Sequence, residues 1–89
     1  MKVHQLKTWQ RPFQAVWDGA KTHEVRVNDR GFEVGDTLYL REWDVGLQTF
    51  SGRGVHALVT YITPGGHWGL PETICAMSIK VTGREDVKP

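Results

Sequence analysis

The stretch GAKTHEVR, residues 19–26, contains the transition from a helix to a strand on which the fold prediction depends. Gly19 can adopt the left-handed backbone conformation that commonly ends a helix. Over residues 22–27 apolar and polar side chains then alternate, which indicates a β-strand. We expect the valines of this strand to face the core, and Glu24 and Arg26 to lie together on the outer or cleft face.

A short helix is predicted directly before this stretch. Phe13, Val16 and Trp17 recur at the i, i+3, i+4 spacing of one apolar helical stripe. Pro12 suits the first turn, because its missing N–H would have no partner within the helix. Thr8 or a near neighbour is the expected N-cap residue.

Four further strands are predicted from apolar alternation, at residues 3–7, 37–43, 55–62 and 74–81. Phe32 and Val34 are expected to be apolar anchors before a turn at Gly35-Asp36, and residues 44–54 form a predicted hairpin loop. One helix and about five strands indicate a mainly β, α+β domain. A sheet this small hides its edges best by curling into a barrel that the helix covers on one side.

Length and composition predict one soluble domain at residues 1–81, followed by a polar C-terminal tail at 82–89. With 39% hydrophobic and 24% charged residues, the chain does not have the composition of a disordered protein. Cys75 is the single cysteine, so an intrachain disulfide is impossible and a buried core thiol in a reducing compartment is expected. No signal peptide and no membrane span are visible, and we expect a cytoplasmic protein.

Net charge and histidine spacing limit the kinds of nucleic-acid and metal binding expected of this chain. Eleven basic and ten acidic side chains leave a net charge of +1, so any nucleic-acid binding must come from a local patch or pocket with few phosphate contacts. The four histidines show no metal-ligand spacing. We therefore expect no metal site and no cofactor.

The G-x-K-x-x-E-x-R spacing of residues 19–26 resembles the signature that ASCH domains, members of the PUA-like superfamily, carry directly after their first helix. Gly35-Asp36 resembles the turn that opens the next barrel strand in that group. Residues 41–44, 69–70 and 77–80 are similar to a compact single-domain bacterial and phage subgroup without an assigned function. The resemblance covers nearly the whole chain and implies a small PUA-like β-barrel.

The resemblance also implies a function, because ASCH and PUA-like domains are implicated in binding RNA or modified nucleobases. It places the binding cleft beside Lys21, Glu24 and Arg26. Some ASCH proteins resemble small amidohydrolases that remove the acetyl group from acetylated cytidine. Those have a lysine at the position of Lys21, a threonine at the position of Glu24 and a glutamate further on. This sequence has a glutamate in place of that threonine, and Thr22 offers a hydroxyl two residues earlier on the same predicted face. Ribonuclease activity on single-stranded RNA has also been suggested for the group.

The side chains themselves allow several roles. Lys21 beside Glu24 suits a phosphate or a carboxylate, whereas a lysine shielded from water could act as a base or nucleophile. Glu24 could accept from a base edge or a ribose hydroxyl, while Arg26 holds phosphate or stacks on a base. Asn28 and Arg30 extend this face and could add phosphate contacts.

Aromatic residues supply candidate stacking surfaces. Trp9, before the helix, and Trp68, in a glycine-rich loop, could stack on unpaired bases or plug the open end of a barrel. Trp17 is expected in the core, and Trp43 ends a predicted strand.

Three hypotheses follow. The leading one is a module that binds RNA or a modified nucleobase at Lys21, Glu24 and Arg26. The second is a small hydrolase acting on acetylcytidine or RNA, with Lys21 as nucleophile or base, Glu24 as proton carrier, Thr22 as a possible participant and Glu42 as a possible second carboxylate. The third is a protein-interaction domain, such as a phage factor that engages a host protein.

Overall fold

A computed structural model describes residues 1–87. The elements are β1 (Val3–Trp9), α1 (Gln10–Trp17), β2 (His23–Val27), β3 (Thr37–Asp44), β4 (Thr49–Thr63) and β5 (Ile74–Asp86). The strands form one sheet in the order β1-β3-β4-β5-β2. β1 runs parallel to β3, and the other three pairs are antiparallel. The predicted mainly β fold with one helix is therefore confirmed.

The sheet curls until its two edge strands face each other. β1 and β2 lie at opposite ends of the strand order and share no backbone pairing, but side chains cross the gap between them. Arg26 on β2 donates from Nη1 to the carbonyl of Lys7 at 3.1 Å. Arg30, in the segment after β2, donates to the carbonyl of Gln5 at 3.0 Å. We call this gap, bridged by two arginines, the seam of the half-barrel.

One hydrophobic core fills the concave side of the sheet, and α1 covers it with Phe13 and Val16, both fully buried. Cys75 is also fully buried, as predicted, and burial raises the pKa of its thiol. No helix in residues 1–87 is long and apolar enough to cross a membrane. The buried apolar set comprises Leu6, Phe13, Val16, Phe32, Leu38, Leu40, Val55, Ala57, Val59, Cys75, Met77 and Ile79.

The ends of α1 only partly follow the prediction. The N-cap residue is Trp9, the neighbour of Thr8, and its side chain makes no cap bond, so the helix begins where expected but without a side-chain cap. At the other end, Gly19 has φ of 83°, and its N–H donates to the carbonyl of Val16 at 3.1 Å. The glycine therefore ends the helix in the left-handed conformation expected from the sequence.

Two strands are longer than their apolar patterns indicate. β4 begins at Thr49, which reduces the predicted loop at 44–54 to a short connection. β5 continues through Asp86, so the assignment of the polar tail to 82–89 is wrong as far as residue 86, and residues 88–89 lie outside the described part of the chain. The polar end of β5 is held by its pairing with β4. This contact joins distant segments of the chain, so the alternation of apolar and polar residues does not reveal it.

The two valines of β2 do not face the core, so that part of the prediction is wrong. Val25 and Val27 are 51% and 54% exposed, whereas Glu24 is only 3% exposed. Val34, predicted as an apolar anchor, is 59% exposed, while Phe32 is buried as expected. The physical reason is that Glu24 is paired with two cations inside the fold, which removes the penalty that would otherwise keep a carboxylate in water.

The predicted turn at Gly35-Asp36 is held by a fully buried carboxylate. Asp36 accepts the N–H of Lys2 at Oδ1 (3.0 Å) and the N–H of Glu33 at Oδ2 (3.0 Å). Oδ2 also lies 2.8 Å from Nε2 of His4. These bonds, first that with His4 and then that with Lys2, lower the pKa of Asp36 to about 2. Asp36 thereby fastens the start of β1 to the turn before β3.

Candidate functional site: a cationic cavity at the seam

A cavity of about 320 Å³ opens at the seam, where the end of β1 and the start of α1 face β2. We call it the seam cavity. Four of its lining residues were predicted from the sequence as binding residues: Trp9, Lys21, Glu24 and Arg26. The lining residues are Lys7, Thr8, Trp9, Pro12, Lys21, Glu24, Val25 and Arg26.

Glu24 lies in the wall of this cavity, between two cations. Its side chain is only 4% exposed, and each carboxylate oxygen accepts from a different cation. Oε1 accepts from Nζ of Lys21 at 2.7 Å, and Oε2 accepts from Nε of Arg26 at 3.0 Å. A buried carboxylate is tolerated only when it is paired in this way. The three predicted residues therefore form one ion-paired group in a hollow.

The helix end positions Lys21. Beyond the left-handed Gly19, the N–H of Lys21 donates to the carbonyl of Ala15 at 3.0 Å. Its ammonium group donates to the carbonyl of His23 at 2.6 Å as well as to Glu24. An ammonium group has three N–H donors, so one remains for a ligand.

Arg26 links Glu24 to β1. Besides its bond to Glu24, it donates from Nη1 to the carbonyl of Lys7 and from Nη2 to the hydroxyl oxygen of Thr8 at 2.9 Å. The hydroxyl of Thr8 donates in turn to the carbonyl of Leu6 at 3.4 Å. A guanidinium group has five N–H donors, so two remain after these three bonds.

The cavity carries an excess of two positive charges, because Lys7, Lys21 and Arg26 line it against the single carboxylate of Glu24. Its rim is apolar, with the indole of Trp9 64% exposed. Such a hollow can receive an anionic group on the unused N–H donors and a flat apolar group against the indole.

Two other predicted residues, Thr22 and Asn28, lie away from the cavity. Thr22 is exposed and does not line it, although it was expected on the face of Glu24. Asn28 accepts the N–H of Phe32 at its side-chain oxygen at 3.3 Å, which stabilises the turn after β2.

Arg30 and Trp68 are also outside the seam cavity. Arg30 lines a neighbouring cavity of about 350 Å³ on the other side of Arg26. Trp68 is 83% exposed in the loop between β4 and β5, with φ of 51°. It lines none of the cavities described here.

Glu42, the predicted second carboxylate, belongs to a separate buried pair. Its oxygens accept from Nε and Nη2 of Arg53 at 2.9 and 2.8 Å and from the hydroxyl of Ser51 at 2.6 Å. Arg53 also donates to the side-chain oxygen of Gln14, which ties α1 to β4. The bond with Arg53 is the main cause of a lowered pKa at Glu42. This pair supports the fold and does not reach Lys21.

Sequence reasoning missed Lys7, Thr8, Pro12 and Val25 as cavity residues. The alternation of β1 held one usable signal, since it places Lys7 on the same face as Trp9. Nothing local indicates that β1 and β2 meet across the seam. Within residues 1–87, no group of three or more His, Cys, Asp or Glu side chains is arranged to hold a metal ion.

Comparisons with known proteins match most of the chain. The model of a family described as "Domain of unknown function (DUF3850)" matches residues 3–79, which include every residue of the seam cavity. An Escherichia phage P2 protein, described as "Uncharacterized 12.9 kDa protein in GpA 3'region", is 42% identical over 67 residues. The match covers 75% of this chain and 60% of that relative, so the chain spans about three fifths of the relative's length.

Proposed function

The chain belongs to the family described as a domain of unknown function, DUF3850, and we propose that it is a binding module that takes a nucleotide of RNA, or a modified nucleobase, into the seam cavity. One observation carries this proposal: Lys21, Glu24 and Arg26 meet in a single hollow beside the exposed indole of Trp9.

The unused N–H donors favour a phosphate. Lys21 has one donor left and Arg26 has two, and both groups are held in place by Glu24. Charge-assisted bonds from ammonium and guanidinium groups are the usual way in which proteins hold phosphate oxygens. Because the carboxylate already fixes both cations, little side-chain entropy remains to be lost on binding.

The apolar rim favours a nucleobase beside that phosphate. Stacking of a base on an aromatic side chain contributes ~1–3 kcal/mol, and Trp9 offers an exposed ring at the cavity. The volume of about 320 Å³ is at the small end of ligand pockets, which start at roughly 300 Å³. One nucleotide unit fits these dimensions better than a larger folded ligand.

The hydrolase hypothesis has less geometric support. Both oxygens of Glu24 already accept from cations, and Thr22 lies outside the cavity. Glu24 therefore acts in this proposal as the residue that positions Lys21 and Arg26. The third hypothesis, a protein-interaction domain, stays a prediction, because no specific surface among residues 1–87 supports it.

We also propose that the domain is an ASCH member of the PUA-like superfamily. The support is the curled five-stranded sheet, the single helix before β2, and the signature residues gathered around Glu24. The free, buried thiol of Cys75 supports a reducing compartment such as the cytoplasm.

The proposal is tested by titrating the protein with cytidine monophosphate and with a labelled trinucleotide RNA at low salt. Lys21→Ala and Arg26→Ala are each expected to weaken both interactions, since each removes a phosphate donor. Lys80→Ala, an exposed lysine on β5, is the matched control and should bind as the wild type does. Because Arg26 also bridges the seam, thermal unfolding of each variant verifies that it is folded.

Equal affinity of the wild type and the Lys21→Ala, Arg26→Ala double variant would remove the proposal. Incubation with acetylcytidine separates the hydrolase hypothesis from it. Release of acetate by the wild type, but not by Lys21→Ala, would replace binding with catalysis as the function of the cavity.

A further inference from the structure

An aromatic row and a cationic pair lie side by side on the outer face of the sheet, next to the seam cavity. The strand register pairs Trp9 with Trp43 and Trp43 with Phe50, and two residues earlier along β1 and β3 it pairs Lys7 with Arg41. Neighbouring strands are ~4.8 Å apart, and paired residues project to the same face. Lys7 and Arg41 are therefore adjacent cations.

Each of these two cations is held by an aromatic ring. Nζ of Lys7 lies 4.0 Å from the ring centroid of Trp43, and the guanidinium carbon of Arg41 lies 3.8 Å from that of Phe50. The two rings contact each other edge to face, with centroids 4.9 Å apart. The rings thus fix both charged groups in place without using any of their N–H donors.

Neither cation is neutralised by a neighbour. Among residues 1–87, no carboxylate forms an ion pair with Lys7 or Arg41, and no hydrogen bond engages their side-chain nitrogens. Like charges side by side on a sheet face repel each other. An anion that bridges them relieves this repulsion, so the pair is matched to a ligand with repeated negative charge.

This cationic pair connects two cavities. Lys7 lines the seam cavity together with Trp9. Arg41 lines a second cavity of about 280 Å³, whose walls include the rings of Tyr39 and Phe50. Each cavity therefore combines a cation with an aromatic wall, and the two adjacent cations join them across β1 and β3.

We infer that the ligand is a single-stranded nucleic acid of several nucleotides, whose backbone leaves the seam cavity over Lys7 and Arg41 and whose later bases reach the second cavity. This inference rests on the proposed function and extends it, since a free nucleotide would use the seam cavity alone. Repeated phosphates at the pitch of a chain suit adjacent fixed cations, and sequence-tolerant stacking suits aromatic walls.

The test measures affinity against ligand length, with cytidine monophosphate and with labelled single-stranded RNAs of three, six and nine nucleotides. Wild-type affinity should rise with length. Arg41→Gln should weaken the nine-nucleotide RNA roughly fivefold, as expected for one exposed ionic contact. It should also flatten the slope of log affinity against log salt by about 0.7 for the lost phosphate contact. Arg41→Lys, which keeps the charge, should restore most of that slope, and Lys80→Ala is again the control.

The outcomes separate the two proposals. If the monophosphate and all lengths bind equally, or if Arg41→Gln leaves the salt slope unchanged, the extended path is wrong while binding in the seam cavity stands. If no RNA or nucleotide binds, both proposals fail. Preferential binding of double-stranded RNA, or of an acidic peptide through the same Arg41, would also overturn the inference.

Discussion

Replacing Asp36 by asparagine tests how the start of β1, the strand whose other end lines the seam cavity, is held in place. The fully buried carboxylate accepts from the backbone of Lys2 and Glu33 and contacts His4. Asparagine has nearly the same shape, but it carries no charge. Its NH₂ group must also face an N–H donor where the carboxylate offered a second acceptor.

The magnitude follows from the pKa of Asp36, which these contacts lower from 3.8 to about 2. At 1.36 kcal/mol for each pH unit, the folded state gains about 2 kcal/mol from ionised Asp36. Hydrogen bonds to charged groups are independently worth roughly 1.5–3 kcal/mol each. Asp36→Asn is therefore expected to lower the free energy of unfolding by about 2 kcal/mol at neutral pH.

The pH dependence has a definite sign. Because the folded-state pKa is below the unfolded one, the stabilisation is complete above about pH 4 and is lost as the pH falls through the interval between 3.8 and about 2. Urea unfolding followed by tryptophan fluorescence at pH 7, 5, 3.5 and 2.5 gives the comparison. The difference between wild type and variant should be constant at the two higher pH values and shrink at the two lower ones.

A matched control is Asp29→Asn, since the side chain of Asp29 is 68% exposed in the turn after β2. This change should alter the free energy of unfolding by less than ~0.5 kcal/mol. A difference below that value for Asp36→Asn at pH 7, or a larger difference that acid leaves unchanged, would refute the electrostatic account of the turn.

Three further outcomes are expected. Glu24→Gln removes the charge that pairs two cations, so it should lower the free energy of unfolding by about 1–3 kcal/mol and weaken nucleotide binding; unchanged stability would argue against the buried ion-paired group. Val27→Thr should change stability by less than ~0.5 kcal/mol in urea unfolding, whereas Val59→Thr, which puts a hydroxyl in the core, should cost ~1–3 kcal/mol. Equal losses of stability in the two variants would instead support the predicted orientation of β2, with its valines in the core. Cys75 should react with a thiol reagent only after urea unfolds the protein, because it is buried and burial raises its pKa; rapid labelling of the folded protein would contradict this.

Local signals predicted much of the fold. The glycine at position 19 ends α1 with φ of 83°, and Leu38 and Leu40 alternate into the core as expected. The turn at Gly35-Asp36 is present, and the single helix and five strands were predicted in the correct order. Each of these features depends on neighbouring residues and on a period of two or 3.6, which a sequence displays directly.

Contacts between distant segments account for what the sequence did not reveal. The facing of β2 was predicted from its valines, but the pairing of Glu24 with Lys21 and Arg26 outweighs the burial of two valines on a short edge strand. A hydrophobicity pattern treats a carboxylate as exposed and contains no term for a buried ion pair. The meeting of Lys7 with the signature residues likewise depends on the curl of the whole sheet, so no local spacing could indicate it.

The seam explains why stability and the proposed binding site depend on the same residue. A barrel closed by backbone bonds would fill this position with a strand ladder and leave no cavity. Here the edges are joined by Arg26, which uses three N–H donors to hold Glu24 and β1 and keeps two for a ligand. A domain of this size has a thin margin of stability, and a ligand that occupies the remaining donors stabilises the folded state by mass action. The open seam therefore lowers the stability of the ligand-free protein, and ligand binding partly compensates for that loss.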